Sequence, residues 1–118
     1  MNPVVIVHFV VALLAIAAAV PLMRGVVKMN PWYGVRIPAA FESEERWFDL
    51  NRYGGRLLFL WGLCIVATAL VGSQLRKSAW VAYDWSALVI VIGGLALVIA
   101  LIFRHAGKKK SCANPSDL

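Results

Sequence analysis

The chain has 118 residues, of which 61% are hydrophobic and 15% charged, and its formal net charge is +6. Soluble domains have an apolar fraction of about one half, so this composition excludes a soluble globular protein and indicates a small integral membrane protein. The positive charge does not call for a nucleic-acid partner, because basic residues that face anionic lipid headgroups explain it more simply.

Three apolar runs, residues 3–23, 57–75 and 85–103, contain no Lys, Arg, Asp or Glu. At about 1.5 Å rise per residue, each run spans roughly 30 Å, the thickness of the hydrocarbon core. Because no water is present there to satisfy backbone groups, each run should be a helix. The sequence therefore predicts an all-α membrane protein with three transmembrane helices. Residues 1–107 would form a single domain, followed by a basic, disordered tail at 108–118.

The first run begins with Asn2-Pro3, which suits a helix N-cap followed by a first-turn proline, and Pro21 should end or bend this helix. A cleaved signal peptide is the alternative, since Ala17 to Ala19 offer small residues for cleavage. A retained helix is favoured, because no basic residue precedes the run and the run is longer than a usual signal core.

His8 is an ionisable side chain inside the first run. It could pair with Asp84, which should lie in the same leaflet, or form a hydrogen bond as a neutral ring. Asp84 is also a candidate N-cap of the third helix.

The segment between the first two runs, residues 24–56, combines two kinds of sequence. From Met23 to Phe41, Asn30-Pro31, Gly34 and Pro38 oppose helix and predict a compact irregular turn. From Ser43 onward the pattern favours a short amphipathic helix that runs into the second span, with Ser43 as N-cap. Glu44 and Glu45 suit the first turn of such a helix.

Basic residues predict the orientation, because Lys and Arg near the ends of spans are retained in the cytoplasm. With three spans, the loop and the C-terminal tail share one side. Ten of the twelve basic residues lie on that side: Arg24, Lys28, Arg36, Arg46, Arg52, Arg56, Arg104, Lys108, Lys109 and Lys110. We therefore expect the N-terminus outside the cell, and the loop and tail in the cytoplasm. Aromatic belts are expected at both interfaces: Trp80, Tyr83 and Trp85 outside, and Trp32, Tyr33 and Trp47 inside.

Eleven positions of the loop resemble, in order and without gaps, the motif of the SdpI family of bacterial membrane proteins. They are Asn30, Gly34, Arg36, Pro38, Ser43, Glu44, Glu45, Trp47, Asn51, Arg52 and Gly55. The likeness covers about a quarter of the chain, and the arrangement of one span before the loop and two after it agrees. The chain departs from the motif at Ile37, where Thr is usual, and at Asn51, where many members carry His.

The resemblance implies a role in immunity to a secreted peptide toxin, in membrane signalling, or in both. In that family, the founding member protects its producer from such a toxin and holds a transcriptional repressor at the membrane. The implied partners are therefore a peptide toxin or a cytoplasmic transcriptional regulator, in addition to membrane lipids. Small residues along the spans make a homodimer plausible.

The loop residues also carry expectations of their own. The guanidinium of Arg36 could bind a carboxylate of Glu44 or Glu45, or a lipid phosphate. Asn30 and Asn51 suit a role in tying the loop together, and Trp47 is either a packing anchor or an interfacial residue.

The chemistry of an enzyme is not indicated. Glu44, Glu45 and Asp49 are the clustered carboxylates, and pairing with the interleaved Arg46 and Arg52 is their ordinary role. The sequence shows no metal-ligand spacing, no nucleophile with its base and no cofactor motif, so neither metal, cofactor nor catalytic residue is predicted. The alternative to immunity or signalling is a protein of the inner leaflet that binds lipid headgroups or transports a small molecule.

Overall fold

The computed structural model describes the backbone of residues 1–112 and the side chains of residues 1–108. Over this part of the chain it contains three long helices: α1 (Pro3–Arg24), α2 (Glu44–Ser73) and α3 (Trp80–Cys112). Each is long and apolar enough to cross a membrane, which confirms the predicted fold class. Helix α3 includes the first five residues of the segment expected to be a disordered tail, and the rest of that segment lies outside the described residues.

Helix α1 begins and ends where its terminal residues dictate. The side chain of Asn2 accepts a hydrogen bond from the backbone N–H of Val4 at 2.9 Å, as an N-cap does. Pro21 does not end the helix, because α1 continues beyond it to Arg24. It ends at Gly25, whose φ of +67° allows its N–H to bond the carbonyl of Leu22.

Helix α2 is continuous over 30 residues, so the predicted amphipathic helix forms its first turns rather than a separate element. The hydroxyl of Ser43 accepts a hydrogen bond from the N–H of Arg46 at 3.1 Å and caps the helix. A helix that begins on Ser43 and continues into the apolar run positions the polar loop residues directly beneath the membrane span.

Helix α1 packs along α2 at glycines. A Cβ built on Gly55 would lie 3.0 Å from the backbone nitrogen of Met23, and one built on Gly62 would lie 2.8 Å from the side chain of Ile16. These glycines let the two backbones approach closely, as small residues do between membrane helices. Helix α3 also packs against α2, where Gly94 abuts the indole of Trp61.

The structure corrects two predictions at the end of the molecule that holds the N-terminus. Asp84 does not cap α3, because that helix already begins at Trp80; its carboxylate instead accepts a hydrogen bond from Asn2 Nδ2 at 2.7 Å. For His8, the structure shows the second of the two expected roles: its Nδ1 lies 3.2 Å from the hydroxyl of Tyr83, and among the described residues it forms no ion pair with Asp84. Tyr83 is therefore buried between helices rather than part of an aromatic belt.

Candidate functional site

Residues 25–43, which we call the cap, close the end of the molecule opposite the N-terminus. The cap contains one short 3-10 turn at Pro38–Phe41, and Pro38 begins it because its fixed φ suits a first helical position. Asn30 organises the first half. Its Oδ1 accepts hydrogen bonds from the N–H groups of Trp32 and Tyr33 at 2.9 and 2.7 Å, and its Nδ2 donates to the carbonyl of Lys28.

Asn51 attaches the cap to α2. Its side chain is 2% exposed, and its Oδ1 accepts a hydrogen bond from the N–H of Val35 at 2.6 Å. Gly34 precedes this contact with a φ of +109°, and a Cβ built there would lie 2.5 Å from that same oxygen. Both the backbone conformation and the space thus require glycine at this position.

Trp47 is the packing anchor of the cap. Its indole is fully buried and donates from Nε1 to the carbonyl of Val27 at 2.9 Å, and its ring lies 5.4 Å from that of Phe41. Of the two roles expected for Trp47, the structure therefore shows the packing anchor and not the interfacial residue. Tyr33 likewise turns inward and donates its hydroxyl to the carbonyl of Ala18, and burial raises the pKa of this phenol.

Arg36 does not bind the carboxylates proposed for it. Its Nη1 donates to the carbonyl of Pro31 at 2.6 Å, and the side chain is otherwise exposed. Glu44 and Glu45 are exposed in the first turn of α2, where the positive end of the helix dipole favours them. Within residues 1–108, neither carboxylate forms an ion pair.

Arg52 and Gly55 belong to the junction between α1 and α2. The guanidinium of Arg52 lies against Gly25, so that a Cβ built on that glycine would be 2.6 Å from Nη2. A cation beside the last turn of α1 is favourable, because the carbonyl groups there carry partial negative charge.

Sequence reasoning missed a cluster on the face of α2 that turns toward the C-terminal part of α3. Nε2 of His105, near the end of α3, lies 3.0 Å from Oδ2 of Asp49, and the imidazole stacks on Tyr53 with 4.0 Å between ring centroids. The sequence instead predicts that Asp49 forms ion pairs with the neighbouring arginines of its own helix. Asp49 and His105 are 56 residues apart. The sequence does not indicate that they pair, because it does not show which face of α3 turns toward α2.

The structure thus brings Gly34, Trp47 and Asn51 together around one cap, leaves Arg36 at its surface and places Arg52 at its base. That these residues form a binding site stays a prediction. Among the side chains described, no group of three His, Cys, Asp or Glu lies close enough together to hold a metal ion.

A family model described as the SdpI/YfhL protein family matches residues 26–104. The matched part begins in the cap and continues to the end of the apolar run of α3. No match was found among curated proteins or among solved structures.

Proposed function

The chain belongs to the SdpI/YfhL protein family, and we propose that this multi-pass membrane protein acts without catalysis, in immunity to a secreted peptide toxin or in membrane signalling, with the cap as its recognition surface. The observation that carries this proposal is that Trp32 and Arg36 are exposed on a cap whose main chain is hydrogen-bonded by buried side chains. Trp32 is 85% exposed, and the exposed Arg36 donates from Nη1 to the carbonyl of Pro31, the residue that precedes Trp32.

Trp and Arg are the residue types that contribute most to protein recognition. The side chains of Asn30, Asn51 and Trp47 each form a hydrogen bond with the main chain of the cap, which favours one conformation of its backbone. Ordering a loop before it binds lowers the entropy lost on association. An ordered cap with an exposed indole and guanidinium therefore suits the capture of a peptide or of a protein surface.

The distribution of basic residues supports a cytoplasmic cap. Residues on the cap side of the described chain include Arg24, Lys28, Arg36, Arg46, Arg52, Arg56, Arg104 and Lys108, whereas Arg76 and Lys77 lie at the other end. Positively charged ends are retained in the cytoplasm. A cytoplasmic regulator would meet the cap directly, and a toxin from outside would reach it only after entering the bilayer.

The test is protection of toxin-sensitive cells. The cells would express the wild-type protein, Trp32→Ala, Arg36→Ala or the control Arg76→Ala at matched membrane abundance. We expect the wild type and the control to protect and both cap variants to lose most protection. Equal sensitivity of cells with and without the wild-type protein would remove the immunity role, and full protection by both cap variants would remove the cap as its recognition surface.

A further inference from the structure

A groove that borders the cap at Ser43 runs between the first turns of α2 and the C-terminal part of α3. Its volume is about 770 Å³, and its walls include Arg46, Asp49, Arg52, Tyr53, Arg56 and His105. Ligand sites commonly have volumes of about 300–1,000 Å³. The groove is therefore large enough for a small polar ligand. Three of the side chains that line it are arginines, which end in guanidinium groups.

Two of these three arginines, Arg52 and Arg56, are not neutralised by a carboxylate among the described side chains, whereas Arg46 pairs with Glu42. Asp49 is engaged by His105 on the far wall, and the ion pair that an arginine makes within residues 1–108 is the one between Arg46 and Glu42, at 3.5 Å. Glu45 lines the groove but is exposed. Among the described side chains, Arg52 and Arg56 thus have no carboxylate within ion-pair distance.

Arg46 forms the inner wall and is incompletely bonded. Its Nη2 donates to the carbonyl of Ala106 at 3.1 Å and its Nε lies 3.5 Å from a carboxylate oxygen of Glu42, but its Nη1 is buried without a hydrogen-bond acceptor among the described residues. A buried donor that lacks an acceptor costs about 1–3 kcal/mol. One donor of this wall, Nη1 of Arg46, therefore has no acceptor among the described residues.

The spacing of Arg52 and Arg56 points to the same conclusion. They are four residues apart on α2, so their side chains project from one face, and like charges at this spacing destabilise a helix by a few tenths of a kcal/mol. An anion between them would reverse this repulsion. A guanidinium matches two oxygens of a phosphate at once, which makes arginine the preferred residue for phosphate.

The groove lies at the depth where lipid phosphates are found. Arg56 immediately precedes the apolar run 57–75, and Arg104 and His105 immediately follow the run 85–103. Because these runs match the hydrocarbon core, the groove should lie at the level of the headgroups. Arg104 and Lys108 extend the positive charge along the neighbouring surface of α3.

We propose that this groove binds a phosphate group through Arg52 and Arg56, with Arg46 behind them, and that the phosphate belongs to an anionic phospholipid or is free phosphate. The groove borders the cap, since Ser43 lines it and Arg52 lies against Gly25, but the two exposed side chains of the proposed recognition surface, Trp32 and Arg36, do not line it. The Asp49–His105 pair and Tyr53 form its far wall.

The test measures binding to the purified full-length protein in detergent by native mass spectrometry. The two probes are dihexanoyl phosphatidylglycerol and inorganic phosphate, with dihexanoyl phosphatidylcholine as the zwitterionic comparison. Arg56→Gln is the main variant, since Arg56 is exposed and not needed for packing, and Arg56→Lys keeps the charge without the planar donors. Lys28→Gln removes one exposed positive charge from the same end of the molecule and is the matched control.

We expect Arg56→Gln to weaken binding of the anionic probe about tenfold or more, because a charge-assisted hydrogen bond is lost. The affinity of Arg56→Lys for this probe should lie between those of Arg56→Gln and the wild type, and the affinity of Lys28→Gln should equal that of the wild type. Binding of phosphatidylglycerol alone would assign a lipid, and binding of both anionic probes would assign the phosphate group itself. An equal loss in Lys28→Gln, unchanged binding in Arg56→Gln, equal binding of phosphatidylcholine, or no binding of either anionic probe would overturn the proposal.

Discussion

The side-chain amide of Asn51 bonds both backbone groups of Val35. Its Oδ1 accepts from the Val35 N–H at 2.6 Å, and its Nδ2 donates to the Val35 carbonyl at 3.4 Å and to the carbonyl of Trp47 at 2.8 Å. One buried side chain on α2 therefore satisfies main-chain groups of the cap that no helix or sheet would satisfy. The cap depends on this residue for its position.

The first prediction follows from this contact. Asn51→Ala should lower the free energy of unfolding by about 1–3 kcal/mol, because the Val35 N–H loses its buried acceptor. The change would be measured as a fall in thermal unfolding midpoint of the protein in detergent. Gln74→Ala is the control, since this exposed amide bonds only Ser73 at the far end of α2. Equal midpoints for Asn51→Ala and the wild type would contradict the prediction.

The second prediction concerns Gly34. Gly34→Ala should destabilise the protein by about 1 kcal/mol or more, since a positive φ disfavours alanine and the added Cβ would meet Asn51 Oδ1. Gly93→Ala is a matched control within α3, because a Cβ there has no heavy atom within 4 Å. The unfolding midpoint should fall in the first variant and be maintained or rise in the second. A smaller effect at Gly34 than at Gly93 would mean that the cap adopts another conformation.

The third prediction concerns the anchor of the cap. Trp47→Phe keeps an aromatic ring but removes the donor to the Val27 carbonyl, so the cap should open more often. Trypsin would then cleave after Lys28 and Arg36 several-fold faster than in the wild type, because proteolysis follows the population of open chain. Trp32→Phe, at a position 85% exposed, should leave the cleavage rate unchanged. Identical rates in all three proteins would show that the indole donor does not hold the cap.

The fourth prediction concerns orientation in the membrane. In a background carrying Cys64→Ala and Cys112→Ala, single cysteines would be introduced as Lys28→Cys in the cap or Ser78→Cys at the other end, both at exposed positions. An impermeant thiol reagent applied to intact cells should label only the Ser78→Cys variant, because the basic side is expected in the cytoplasm. Both variants should react once the cells are opened. Labelling of Lys28→Cys alone in intact cells would invert the topology.

Local sequence chemistry determined the elements of this protein. Uncharged runs of membrane-spanning length predicted three helices, Asn2 and Ser43 predicted where two of them begin, and prolines with Gly34 predicted an irregular cap. Each of these predictions depends on residues close together in the chain, whose backbone preferences act without the rest of the fold.

The partners across helices were decided only by the tertiary structure. Asp49 meets His105, Asn2 meets Asp84, and Arg36 bonds Pro31 instead of a carboxylate of α2. A transmembrane helix that is apolar on all sides has no polar face to indicate which side packs, so its rotation against its neighbours is not visible in the pattern. That rotation determines which polar residues meet at the helix ends. It therefore also determines the structure of the cap and of the groove lined by Arg46, Arg52 and Arg56.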